Sequence, residues 1–251
     1  MPRAARSEQQ AVAVDARVWR AVESQHVIST MRLVNNDPAD QKVLEDILES
    51  AKPPLPANAR HLHWLLATPF RYASRIGGSR FRARGEPGVF YCAAVQRSAC
   101  AEAGFWKWRF VRDSAGLKGL NAHPMSLFPA RIRGQAWDLT QPPLAARRAQ
   151  WLDPDQYSAT QALAARARGA GLECLLYESV RDPLHGTCAA VLDPAALVNS
   201  DPLLRAQSWF LTVREQSVIW QREDAQLFEF DFQAFAPEVR QAAGVDRCKR
   251  L

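Results

Sequence analysis

The chain has no long apolar run. Nothing in it approaches the roughly 18 consecutive apolar residues that a bilayer-spanning helix needs, so no membrane role is expected. Met1 to Gln10 carries two arginines with no apolar stretch behind them. That is not the pattern of a secretory signal, and a cytoplasmic protein is expected. There is no Cys-x-x-Cys pair. The five cysteines (Cys92, Cys100, Cys174, Cys188 and Cys248) are odd in number and widely spaced, which argues against a disulfide framework or a zinc site and predicts buried thiols. Histidine is scarce, and His61 and His63 have no carboxylate–cysteine cluster beside them, so no metal is expected. A G-x-G-x-x-G fingerprint and a P-loop are both missing, which disfavours Rossmann and NTPase folds. Internal repeats and low-complexity tracts are missing too.

What is present suits a globular protein. Apolar residues make up 47% of 251, enough for a real core in one large domain or one domain with a helical extension. The net charge of +6 is modest, but it is unevenly spread. Arg71, Arg75, Arg80, Arg82 and Arg84 fall in one stretch with no acid between them. The planar fork of an arginine matches phosphate oxygens.

Residues 1–57 read as a helical extension. Gln9 to Glu23 is rich in Ala and Val, and Asp37-Pro38 looks like an N-cap followed by a first-turn proline. Val43, Ile47 and Leu48 then give a stripe at helical spacing, and Pro53 to Pro56 ends the element. The rest, 58–251, reads as a second unit. Leu62 to Ala67 is strand or helix, and Arg71 to Gly88 is loop. Strands are predicted over Gly88–Val95, Ala130–Leu139, Cys174–Glu178 and Cys188–Val191. Trp209–Gln221 and Leu227–Phe232 are predicted C-terminal strands. Helices are predicted over Ser98–Arg109, with Ser98 as N-cap, and over Pro154–Arg168, stopped at Gly169–Gly171. Helices and strands mix without regular βαβ alternation, an α+β pattern.

Four features gather within a short span: Phe70-Arg71-Tyr72, Gly77-Gly78-Ser79-Arg80-Phe81-Arg82, Gly88-Val89-Phe90-Tyr91 and Glu102. A glycine-rich turn bearing arginines lets backbone and guanidinium approach a pyrophosphate. A tyrosine at a strand presents a flat ring. One carboxylate can orient ribose hydroxyls and stabilise an oxocarbenium ion. Cleavage of a nicotinamide–ribose bond needs that set, and it needs no strong acid, because nicotinamide leaves neutral.

In this order the motifs resemble the RES domain family. The family pattern continues with Ser-x-x-Gln opening a helix, matched by Tyr157-Ser158-Ala159-Thr160-Gln161. A Gly-Leu-x-x-x-x-Tyr-x-Ser-x-Arg segment is matched by Gly171-Leu172 through Tyr177-Glu178-Ser179-Val180-Arg181. The resemblance covers about 62–195. Arg82 departs from it, standing where many relatives have Asn. The resemblance implies an ADP-ribosyltransferase-like fold: a split, mostly antiparallel sheet with flanking helices. It implies the toxin of a type II toxin–antitoxin pair that degrades NAD+, with phosphate (phosphorylase) or water (glycohydrolase) as acceptor. NAD+ is then a substrate and no prosthetic group is expected. The spare donors of the arginine cluster favour inorganic phosphate as co-substrate. By position, Arg71 and Arg80 would hold phosphates, Tyr72 and Tyr91 would pack near the nicotinamide, and Glu102 would hold the ribose and support the oxocarbenium ion. Ser158 would bind ligand or incoming phosphate, with Ser179 as the other candidate for the family serine. The implied partner is an Xre-type antitoxin that blocks the cleft in a hetero-oligomer, with nucleic acid touched only through it.

Two other readings stand beside this one. The same cleft would serve a protein mono-ADP-ribosyltransferase. A nucleic-acid-binding module would fit a pI near 9.3 and arginines interleaved with Tyr72 and Phe81. Against that, acids are spread over the rest of the chain and no helix-turn-helix or RNP motif is present.

Overall fold

The structure is a computed structural model, and it describes residues 10–24, 37–72 and 77–235. Its centre is one eight-stranded, mostly antiparallel sheet flanked by helices. The first strand, β1 (Val12–Glu23), corrects the expectation of helix over Gln9–Glu23. Its signal is alternation. Val14 and Val18 are buried in one core, with Ala16 and Val22 against it, while Trp19 and Ala21 pack toward the other. That period of two suits a sheet with a core on each face. Ala-rich composition is outweighed by continuous pairing: β1 runs antiparallel to the long strand β3 (Leu120–Asp138) from Val12↔Ala136 to Glu23↔Met125.

Asp37 caps α1 (Pro38–Ser50) as expected, accepting from the Ala39 amide at 2.8 Å. Val43, Ile47 and Leu48 form the expected stripe, yet α1 buries no residue. Next comes α2 (Trp64–Arg71), which settles the strand-or-helix choice at Leu62–Ala67 for helix and buries Leu65, Leu66, Ala67 and Phe70. The turn over 77–88 leads to β2 (Phe90–Ala93). Then α3 (Gln96–Asp113) begins two residues earlier than expected, with Val95 at the N-cap. Ser98 is not the cap. It lies inside the helix, fully buried, because its hydroxyl has a tertiary acceptor in Asp182.

After β3 come a short α4 (Arg148–Trp151) and α5 (Ser158–Gly169). Residues 154–157 are turn rather than the expected first turn of helix. Gly171, at φ +74°, follows the end of α5, as the glycines there predicted. The strands β4 (Cys174–Glu178) and β5 (Thr187–Val191) fall where expected. Trp209–Gln221 is two strands, β6 (Gln207–Val213) and β7 (Ser217–Gln221), paired as a hairpin and followed by β8 (Leu227–Asp231).

The strand order is β1-β2-β5-β4-β3-β6-β7-β8, with β1 also paired to β3. The first five strands therefore close on themselves. One seam of that closure is thin: β1 meets β2 only at Trp19↔Ala93. One edge of β3 is shared, with β6 along Leu120–Leu127 and β4 along Ala136–Asp138. On one face of the sheet, α2 packs with Val14, Val18, Phe90, Phe128 and Ile132. The other face carries α3, α5 and the fully buried Trp108, Trp209 and Trp220. Full burial of one large apolar side chain contributes about 1.5–3 kcal/mol, so both faces are committed to burial. Cys92, Cys100, Cys174 and Cys188 are buried and free, as predicted; Cys248 lies outside the described residues.

Candidate active site

Where β1 and β2 diverge, a cavity of about 310 Å³ opens beneath α3. Its polar lining includes Arg20, Ser79, Arg80, Tyr91, Glu102 and Arg181, and Trp19, Ala103 and Trp106 supply apolar wall. Ser79 and Arg80 come from the turn over 77–88, and the other polar groups from β1, β2, α3 and the turn after β4, so the fold assembles the set.

Glu102 projects from α3, one turn past Ser98. Its Oε1 accepts from Ser179 Oγ at 2.6 Å and from the Val180 amide at 3.2 Å. Both donors belong to the turn after β4. The carboxylate is thereby held in one orientation at the cavity wall.

The arginine-bearing turn is fastened from two sides. Gln161 Nε2 donates to the Ser79 and Arg82 carbonyls at 3.0 and 3.3 Å. A Cβ on Gly78 would lie 2.5 Å from the Arg82 carbonyl oxygen and 2.6 Å from that Gln161 nitrogen, so the close approach requires glycine. The Tyr91 hydroxyl hydrogen-bonds Ser79 Oγ at 2.7 Å and accepts from the Phe81 amide at 3.0 Å. Burial raises the Tyr91 phenol pKa above its usual value, partly offset by these two contacts, so it remains neutral at pH 7. Arg80 Nη1 donates to the Trp151 and Asp153 carbonyls at 2.8 and 2.9 Å, and its guanidinium lies 4.7 Å over the Tyr157 ring.

Two arginines at the cavity were not among the sequence candidates. Arg20 reaches across the thin β1–β2 seam. Its Nη1 donates to the Tyr91 carbonyl at 2.7 Å, the guanidinium lies 4.7 Å over Phe90, and its Nε is buried without a partner. Burial lowers its pKa from the usual arginine value. Arg181 is 2% exposed. Its Nη2 donates to the Pro154 carbonyl at 2.6 Å, its guanidinium lies 3.6 Å over Phe105, and its Nη1 has no partner. A buried charge with unfilled donors favours an anionic ligand. Three guanidiniums against the one Glu102 carboxylate leave a net charge of +2 on the lining (3 − 1 = 2). A lone arginine among the buried positions of an alternating strand, as in Val18-Trp19-Arg20-Ala21-Val22, was the signal for Arg20. For Arg181 it was the last residue of the Ser-x-Arg match.

The structure brings Arg80, Tyr91 and Glu102 together. It does not bring Arg71, Tyr72 or Ser158 to them. Arg71, at the end of α2, pairs with Glu49 of α1 at 2.6 Å and donates through Nε to the Pro53 carbonyl at 2.5 Å. The Tyr72 side chain is largely exposed, and its carbonyl accepts from Arg82 Nη1 at 3.3 Å. Ser158 is exposed at the start of α5. Ser179 is fully buried and touches Glu102. Among the described residues, no group of three or more His, Cys, Asp or Glu could hold a metal, and no helix is long and apolar enough to cross a membrane.

Comparison with known proteins finds no match among curated ones. Among solved structures, the chain is similar to one from the M. tuberculosis MbcT–MbcA toxin–antitoxin complex. That similarity has 13% sequence identity and a TM-score of 0.45, over 77% of this chain and 88% of the other. The family model described as the RES domain matches residues 55–214. That span is well over half of the chain and contains Arg80, Tyr91, Glu102, Ser179 and Arg181, so the protein belongs to the RES domain family.

Proposed function

We propose that this protein is an NAD+-cleaving enzyme acting as the toxin of a toxin–antitoxin pair, with an ADP-ribosyltransferase-like cleft. The observation that carries the reading is the pairing of one fixed carboxylate, Glu102, with three arginines in a single cavity. The surplus of two positive charges matches the two negative charges of a dinucleotide pyrophosphate. Arg20, Arg80 and Arg181 take the phosphate-binding role that the family pattern suggested for Arg71 and Arg80. A substrate of this size and polarity suits a cavity of about 310 Å³, within the roughly 300–1,000 Å³ range of small-molecule sites.

In the proposed reaction the bond between nicotinamide and ribose C1′ breaks, and its electron pair leaves with nicotinamide as the neutral base. Positive charge develops on the sugar. Glu102, oriented by Ser179 and Val180, faces that charge and hydrogen-bonds the ribose hydroxyls. Water, which gives up a proton to solvent, or an oxygen of inorganic phosphate then forms the new bond to C1′, and the arginine-rich lining favours phosphate. NAD+ is the substrate, and no bound prosthetic group takes part. The setting is cytoplasmic, and an Xre-type antitoxin covers the cavity mouth, where Trp106 is half exposed.

The test is proton NMR of purified protein with NAD+, in phosphate and in phosphate-free buffer. Nicotinamide release is expected, with Glu102→Gln reducing it at least about 100-fold, the scale of losing one fixed electrostatic stabiliser. Wild-type turnover in folded Glu102→Gln would refute the reading. Label from NAD+ appearing on protein in place of free product would favour the transferase alternative.

A further inference from the structure

The turn after β4 touches α3 twice, one helical turn apart. The first contact is at Glu102, held by Ser179 Oγ and the Val180 amide. The second is at Ser98 and Arg97. Asp182, 1% exposed, accepts from Ser98 Oγ at 2.6 Å and from Arg97 Nε at 3.2 Å. Ser98 and Glu102 are four residues apart and therefore share a helix face.

Between the two contacts the turn closes on itself. Ser179 Oγ accepts from the Arg181 and Asp182 amides at 3.2 and 3.0 Å. The Leu184 amide donates to Asp182 Oδ1 at 3.1 Å, and the His185 amide donates to the Asp182 carbonyl at 2.8 Å. The Ser179 amide donates to the Gly186 carbonyl at 2.8 Å. A Cβ on Gly186 would stand 2.1 Å from Ser98 Oγ, so the approach of turn to helix depends on glycine there.

Asp182 does not line the cavity, and its carboxylate hydrogen-bonds to Arg97, Ser98 and the Leu184 amide, none of which lines it. Yet the same hydroxyl that donates to Glu102 accepts the Asp182 amide. We propose that Asp182 is a positioning residue: by anchoring the 179–186 turn to Arg97 and Ser98, it fixes the Ser179 hydroxyl and Val180 amide on the Glu102 carboxylate. A buried, fully hydrogen-bonded carboxylate orienting a group one shell nearer the chemistry is a known way to hold geometry to a fraction of an ångström. The proposal rests on the reading of Glu102 as the charge-stabilising group.

The test uses Ser98→Ala and Asp182→Ala in the full chain. Ser98→Ala is the milder variant, removing one hydroxyl and leaving Arg97 on Asp182. Hydrogen exchange at the Val180 amide is expected to rise about tenfold or more as that local bond opens, with the β4–β5 ladder amides unchanged. Nicotinamide release is expected to lose about tenfold in kcat with KM for NAD+ changed less than about twofold, because a misplaced catalytic group costs rate rather than binding. Unchanged Val180 exchange in folded Ser98→Ala would overturn the proposal, as would raised exchange with an unaltered kcat. Loss of protection spreading through the β4–β5 ladder would also overturn it, by making the role merely structural. A wild-type protein that releases no nicotinamide would defeat the reading of Glu102, and Val180 exchange would then decide the anchoring alone.

Discussion

Replacing Ser179 with alanine tests which serine serves the site. Its Oγ donates to Glu102 at 2.6 Å and accepts from the amides of Arg181 and Asp182 at 3.2 and 3.0 Å, in a residue with no exposed surface. A hydrogen bond to a charged group is worth about 1.5–3 kcal/mol, and each buried amide left unpaired costs about 1–3 kcal/mol before relaxation. Even with half of that recovered by local movement, Ser179→Ala is expected to cost about 2–4 kcal/mol. For a chain of this size 1 kcal/mol corresponds to roughly 2–4 °C, so Tm should fall by about 5–15 °C. Glu102 would keep only the Val180 amide, and nicotinamide release should fall with it. Ser158→Ala is the internal comparison. That side chain is exposed, and a surface change away from such contacts stays within about 0.5 kcal/mol. Differential scanning fluorimetry with the NMR turnover assay reads both variants. A Ser179→Ala protein melting within about 1 °C of wild type, or a Ser158→Ala protein losing activity as severely, would refute the assignment.

Three further expectations follow from the geometry. Arg20→Met keeps an unbranched apolar side chain and removes the guanidinium from over Phe90 and from the cavity; NAD+ turnover should drop at least about tenfold, the scale of one lost charge-assisted contact of about 1.5 kcal/mol, and full activity would exclude Arg20 from ligand binding. Arg71→Ala breaks an ion pair whose Glu49 partner is largely exposed; it should cost no more than about 1 kcal/mol in a urea melt and leave turnover within about twofold, whereas a large kcat loss would restore Arg71 to the site. Burial raises the thiol pKa of Cys92, Cys100, Cys174 and Cys188 above the ordinary 9.0. A raised folded pKa means stability that is intact below the unfolded value and lost as pH rises through the folded one, so Tm should hold up to about pH 8.5 and decline above pH 9, with at most one of the five thiols reacting quickly with a disulfide reagent in the native state; a flat Tm to pH 10.5 would contradict this.

Much of the local structure was legible because it is decided locally. Asp37-Pro38 opens a helix through its own side chain and fixed φ. The Gly169–Gly171 stop ends one for similar reasons. Arg80, Tyr91 and Glu102 lie within one turn–strand–helix stretch, and their spacing put them in one motif before any fold was known. The alternation in Val12–Glu23 was readable too, but helix-forming composition competes with it, and only pairing with β3 shows which tendency wins.

The rest depends on contacts between residues far apart in the chain. Arg20 and Tyr91 are 71 positions apart, and Arg20 enters the cavity only because β1 and β2 part beyond Trp19↔Ala93. Arg71 has the same chemistry and a better motif, but α2 turns it toward Glu49. Ser158 and Ser179 both satisfied a serine in the pattern, and the 2.6 Å contact across 77 positions separates them. The sequence by itself determined which residue types could do this chemistry and which short segments would carry them. Only the tertiary structure decided which arginines share a cavity with Glu102 and which serine touches it, because strand register and helix packing set side-chain direction, and a shared cavity exists only where distant elements meet.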